Sequence, residues 1–224
     1  MSAFPGSPRV LKGGIVLLDP DQFTVLPNGI IVLQYNPDTL TRTLKIKGAE
    51  EGGDRSEALR LTGPPVETIR LEAEIDATDQ LETGDQNATQ YGITPQLSAL
   101  ETTLYPPSAT LQNNFNLAQQ GVLEIMPMLA PFALFVWSVN RIAPVRFTEL
   151  SITEEAFDPK LNPLRAKVTL GLKILDESAF DAADTSATVK TAKACYQFTR
   201  AQKEALALAN VANSVESIMG MLPF

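Results

Sequence analysis

Apolar and polar residues alternate along several stretches of this chain. Over residues 68–76, Ile69, Leu71, Ala73 and Ile75 alternate with Thr68, Arg70, Glu72, Glu74 and Asp76. A period of two with one charged face predicts a strand that buries a single side. Residues 164–174 repeat the pattern: Leu164, Ala166, Val168, Leu170, Leu172 and Ile174 lie on one face, with Arg165, Lys167, Thr169 and Lys173 opposite. Such a run exceeds the usual strand of about five or six residues. Leu40, Leu44 and Ile46 alternate with Thr39, Thr41, Thr43 and Lys45, with Arg42 as the exception.

Weaker patterns predict more strands. Residues 14–19 and 23–26 flank Asp19-Pro20-Asp21, and residues 30–35 follow Pro27-Asn28-Gly29, where Asn-Gly supplies the positive φ of a hairpin turn. Residues 132–139 are apolar almost throughout, so both faces need cover. The chain then returns through 145–157 with a slipped phase: Val145 and Phe147 are odd, Leu150 and Ile152 even. One extra residue near Thr148-Glu149, a β-bulge, restores it.

Helical spacing is found in two places. Thr94-Pro95 opens a stretch with Leu97, Leu100 and Leu104, closed by Pro106-Pro107. Residues 112–124 fit either a loop or a short helix, and 48–65 and 80–93 read as surface loops. From about Ser186 to Met219 the chain is Ala-rich; Ala194, Phe198, Ala201, Ala205, Leu208, Ala212, Val215 and Met219 recur at alternating steps of four and three. This seam predicts a long helix, stopped by Gly220 and Pro223, packed on its own domain or on a neighbouring copy.

Composition narrows the chemistry. The chain has 224 residues, no His and one Cys. Histidine-based dyads, histidine-bearing zinc sites and disulfide frameworks are thereby excluded. A net charge of −8 with scattered basic residues argues against nucleic acid as a partner. Glu72, Glu74 and Asp76 share a strand face and read as a solvated surface paired with Arg165 and Lys167, rather than as an acid/base pair. Cys195, in the helical stretch, reads as a small buried hydrophobe, and Trp137 as a core or subunit-interface anchor. No catalytic, cofactor-binding or metal-binding residue is expected, so the chain reads as a non-enzyme without cofactors. Residues 1–6 lack the pattern of a secretory signal, and residues 125–139, interrupted by Pro127 and Pro131, are too short for a transmembrane helix. The expectation is synthesis in the cytoplasm with no direct membrane insertion.

Four blocks resemble one family. Leu33-Gln34-Tyr35-Asn36-Pro37-Asp38-Thr39-Leu40 is similar to a hydrophobic-aromatic-Asn-Pro segment of the tube-like proteins of contractile injection systems, phage-tail-like particles that drive a rigid tube by contracting a sheath. Gly63-Pro64-Pro65-Val66-Glu67 with the strand after it, residues 100–107 and residues 131–175 also fit; the last holds Phe157-Asp158-Pro159 and Leu161-Asn162-Pro163. The resemblance spans residues 13–177. It implies a mainly β (α+β) fold: a rolled antiparallel sandwich or barrel of the tail-tube type with a flanking helix, residues 1–177; the residues after it, 178–224, read instead as an acidic linker and C-terminal helical extension, a departure from the family. It implies a homo-hexameric ring that joins the inner-tube protein to the spike or hub protein and other baseplate subunits, in a particle that is released or stays cell-associated. The charged strand faces would then line a channel or an ordinary outer surface. Many members continue into a peptidoglycan-binding lysin motif; here the helix stands in its place.

The leading expectation is therefore a tube-initiating adaptor. Its rivals are the repeating inner-tube subunit and, from another class, a monomeric β-barrel that binds an apolar ligand. The residues expected to set shape or interface are Tyr35, Asn36, Pro37, Trp137, Phe157, Asp158, Pro159, Asn162, Pro163, Phe198, Leu208 and Val215.

Overall fold

The computed structural model describes residues 11–19, 24–48, 61–106, 108–121, 130–180, 184 and 186–219. Its strands are β1 (Gly14–Leu18), β2 (Val25–Val32), β3 (Leu40–Lys45), β4 (Val66–Asp76), β5 (Phe132–Ser138), β6 (Arg141–Phe157) and β7 (Pro163–Ile174). Its helices are α1 (Thr78–Glu82), α2 (Gln86–Tyr91), α3 (Thr94–Glu101), α4 (Ser108–Gln119) and α5 (Ala187–Met219). All strand pairs are antiparallel, in the order β2-β1-β5-β6-β7-β4-β3. The fold is mixed α+β, built on this sheet and a C-terminal helix.

The alternating patterns become strands for the expected reason. On β4, Ile69, Leu71, Ala73 and Ile75 are buried while Arg70, Glu72 and Glu74 are exposed; on β7, Ala166, Val168, Leu170, Leu172 and Ile174 are buried. β6 carries the bulge: Phe147 faces Leu172 and Glu149 faces Gly171, leaving Thr148 as the extra residue. A Cβ on Gly171 would lie 2.9 Å from Thr148 Oγ1 and from Glu149 Cβ, so a glycine sits opposite the bulge.

β6 serves two neighbours in succession. Residues Arg141 to Val145 pair with β5, whereas Val145 to Phe157 pair with β7. It thus divides the sheet into two halves, β2-β1-β5 and β7-β4-β3, whose apolar faces share one core containing Ile15, Phe135, Leu71 and Leu170. The connection after β2 shows that the sheet rolls. The Gln34 side chain donates from Nε2 to the Asp76 carbonyl (2.7 Å) and accepts from the Asp76 amide (3.0 Å). In a flat sheet β2 and β4, five places apart, would be separated by roughly 24 Å. Gln34 lies two residues beyond β2, so only curvature brings it to the end of β4.

The second face of β5 is covered from within the same chain. Phe132 joins Leu18 and Ala192 of α5 in a smaller core, with Val16, Leu134, Leu175 and Phe180 packed against it. Phe132 and Leu134 are thus covered from within the chain, whereas Val139 at the end of the run is 72% exposed.

Several expectations are corrected. Pro27-Asn28-Gly29 is not a hairpin turn: β2 runs through it, and register with β1 slips between Val16 and Leu18. A Cβ on Gly29 would lie 2.5 Å from the Leu17 carbonyl, so this glycine permits close approach of two strands. Residues 80–93 are not a loop. They contain α2 and the end of α1, with Asp85 capping α2 through the Ala88 amide and Ala88 and Ile93 buried. Residues 112–119 belong to α4. Leu104 lies beyond α3 and is exposed, while Leu97 and Leu100 are buried as expected. Just before the segment expected to be an acidic linker, Asp176 is buried, caps a short 3-10 turn over Glu177–Ala179 and pairs with Lys47 at 3.0 Å. Phe23, residues 49–60, Pro107, residues 122–129, Gly220 and Pro223 lie outside the described residues. Among the described residues, no helix is long and apolar enough to cross a membrane.

Candidate functional site

The residues singled out in the sequence gather mainly at one end of the body, around Asp76. Asn36 accepts from the Gly13 amide at 3.0 Å and donates to the Leu11 carbonyl at 2.8 Å. It thereby extends the β1–β2 ladder, where the Leu33 amide already bonds the Gly13 carbonyl. Pro37 has no N–H to donate and ends that extension. Tyr35 is half exposed; burial, then the carboxylates of Asp79 and Asp76, push its phenol above the ordinary value. Residues 35–39 lie beside Glu72, Glu74 and Lys167, forming a shallow groove.

The β6–β7 turn is held on the other side of Asp76. Asp158 Oδ1 accepts from the amides of Lys160 (2.7 Å) and Asn162 (2.8 Å), and Oδ2 accepts from the Asn162 side chain (2.8 Å). The Asn162 hydrogen bonds hold the Asp158 carboxyl below its usual range. Asn162 also donates to the Gln90 carbonyl, and the Pro163 carbonyl accepts from Ile93, docking the turn on α2 and α3. Gly92, at φ +60°, is where α2 passes Pro163: a Cβ there would meet the Pro163 carbonyl oxygen. Pro159 occupies the exposed crest, and Phe157 is half exposed. Asp158 and Asn162 thus bond one another within the turn, and Pro163 bonds across to Ile93.

Between these turns, the outward faces of β4, β7 and β6 form a charge ladder. Arg165 bonds Asp76 (2.7 Å) and approaches Glu74 (3.9 Å), Lys167 meets Glu155 (3.6 Å), and Arg70 meets Glu149 (3.4 Å). Glu74 and Asp76 of β4 thus pair with Arg165 on this outward face, which exposed Glu72 shares. Burial acts to raise the Asp76 carboxyl, but bonds from Thr78 and Arg165 outweigh it and lower the pKa.

Trp137 is partly buried; its ring stacks on Phe135 at 5.9 Å and rests over Gly13. Its place is in the core wall, against the Gly13 that Asn36 bonds. Cys195 is half-buried rather than fully buried, and burial raises its thiol pKa.

α5 packs through a stripe the sequence reading missed. Val189, Ala192 and Thr199 are buried, Tyr196 packs on the core, and Lys203 reaches Glu67. At 100° per residue this stripe lies on the opposite side of the helix from the predicted seam. Phe198 and Leu208 of the seam are accordingly exposed, Leu208 at 74%. The side chain of Val215 lies outside the described residues.

Glu67 was also missed. It shares the inward phase of Ile69 and Leu71, is 7% exposed, and binds Arg42 Nε (2.6 Å) and Lys203 Nζ (2.8 Å). Arg42, the exception in the β3 pattern, faces inward to meet it. Burial acts to raise the Glu67 carboxyl, but hydrogen bonds and charge from Lys203 and Arg42 outweigh it, so its pKa is lowered. The inward phase of an acid at the start of β4 was the available signal.

Both outermost strands present apolar side chains to solvent. On β2 these are Val25, Ile30 and Val32; on β3 and the segments continuing its hairpin with β4 they are Leu44, Ile46 and Leu61. Nothing pairs with the far side of either strand among the described residues. No protein-family model matches the chain, and no curated protein is significantly similar to it.

Proposed function

We propose that this protein is a non-enzymatic structural subunit of a contractile injection particle, a ring-forming adaptor that connects the inner tube to the spike hub and baseplate and starts tube assembly. The observation that carries the reading is the pair of apolar edges at opposite ends of a rolled antiparallel sheet, unpaired among the described residues. Exposed edges of this kind invite pairing with another chain. Two different edges on one subunit give a head-to-tail contact, and repeated head-to-tail contacts close into a ring when the rotation allows. A rolled sheet of the tail-tube type, a hexamer and a polar ladder facing a water-filled passage follow from this reading and from the Tyr35–Asn36–Pro37 and Phe157–Pro163 segments that resemble the tube-like family.

The repeating tube subunit is the nearer rival, and α5 argues against it. A helix of 33 residues is about 50 Å long, and stacked identical rings leave little room for it. Native mass measurement and negative-stain images of the purified protein test the proposal. Single or paired six-membered rings are expected; long filaments would favour the tube subunit, and a monomer at every concentration would overturn both.

A further inference from the structure

The two ends of α5 differ in composition. Residues 187–204 include Lys190, Lys193, Arg200, Lys203 and Glu204, whereas residues 205–219 contain a single charged residue, Glu216. A helix that faces only water carries charged and polar groups on its solvent side. The nearly uncharged stretch nevertheless continues the same helix to Met219, and residues 204–210 are all exposed. A free helix of about 15 residues is marginal in water, so this one needs a surface to lie on.

Its apolar positions are patterned for such a surface. The seam opposite the body-facing stripe includes Phe198, 45% exposed, and Leu208, 74% exposed. In the sequence Val211, Val215 and Ile218 follow Leu208 at steps of three, four and three, with Met219 beside them. A repeat averaging 3.5 residues is the spacing by which helices wind around one another. We infer that α5 of one copy pairs along this seam with α5 of a neighbouring copy, parallel and level with it. The repeat fits a helix with the same repeat, and the seam has no charge to repel its own copy. It is also short: its six large side chains fall below the roughly 20–30 residues a side of a stable interface. It can therefore hold only helices that another contact has already brought together. A ring does this, raising the effective concentration of neighbouring helices to about millimolar and setting them level by rotation about its axis. The inference rests on the ring proposed above and names what its helices do there.

The test uses the full chain with Cys195→Ser, so that a single thiol can be placed along α5. Leu208→Cys in that chain should give disulfide-linked dimers on mild oxidation, and Asn210→Cys, about 200° away around the helix, roughly tenfold fewer. Leu208→Glu sets a charge at the same level in every copy and should raise the concentration for half-assembly about tenfold. A wild-type ring in which Leu208→Cys links no better than Asn210→Cys overturns the inference and leaves the seam to a different protein. So does a ring whose assembly is indifferent to Leu208→Glu. Linked dimers from chains that form no ring would keep the helix pairing and defeat the ring, whereas a monomer that never links defeats both.

Discussion

At the residue scale, Glu67 has the largest consequences. Its depressed pKa means that it contributes stability above the unfolded carboxylate range and loses that contribution as pH falls through the folded value. The wild-type melting temperature should therefore drop on acidification, with Asp76 and Asp176, also depressed, falling in the same window. Glu67→Gln should cost about 2 kcal/mol at neutral pH by removing the charge that Arg42 and Lys203 face. The gap to wild type should close as pH falls through the depressed folded value of Glu67, below which both side chains are neutral. Melting curves across pH measure both effects. Gly29 makes a second test: Gly29→Ala should cost about 1–3 kcal/mol in chemical denaturation, since the new methyl meets the Leu17 carbonyl, a backbone atom that yields little.

At the element scale, β6 and α5 show what the sequence could reveal. The Thr148 bulge was legible because side chains alternate with period two, so one added residue reverses the phase of everything beyond it. Deleting Thr148 should join Phe147 to Glu149 in plain alternation, with Leu150 still inward opposite Leu170, so the bulge is lost while the dispersed amide NMR spectrum of a folded sheet is retained. β2 was misread because Asn-Gly has the same local chemistry in a turn as in a bulge; only the distant partner, Leu17, decides between them. α1 and α2 were missed because each is about a turn and a half, too short for a hydrophobic period, and their main signal is the Asp85 cap. The heptad of α5 predicted the helix correctly but not its buried side. Small Ala192 and polar Thr199 and Lys203 make the contact with the body, and their fit depends on the shape of the sheet. Lys203→Ala should accordingly speed hydrogen exchange in α5 while leaving β4 and β7 protected.

At the scale of the whole molecule, α5 has a stretch that covers the body, residues 188–203, followed by an exposed stretch, residues 204–210. Removing residues 186–224 should uncover Leu18, Phe132 and Leu134, lower the melting temperature and increase binding of a hydrophobic dye. Removing only residues 206–224 should leave the melting temperature nearly unchanged, because residues 204–210 are exposed. Calorimetry on the two truncations separates these outcomes. The strands were foreseeable from their alternation, whereas a rolled body was implied only by the family resemblance; the Gln34–Asp76 closure was not legible, since it joins positions that are distant along the chain.

The strand common to both half-sheets has a mechanical consequence. A pull directed along β6 would load its rows of hydrogen bonds on β5 and on β7 in shear, many at once, rather than peeling them singly. The molecule would then resist lengthwise strain as a strut does, and would yield most readily at Val145, where one set of partners hands over to the other.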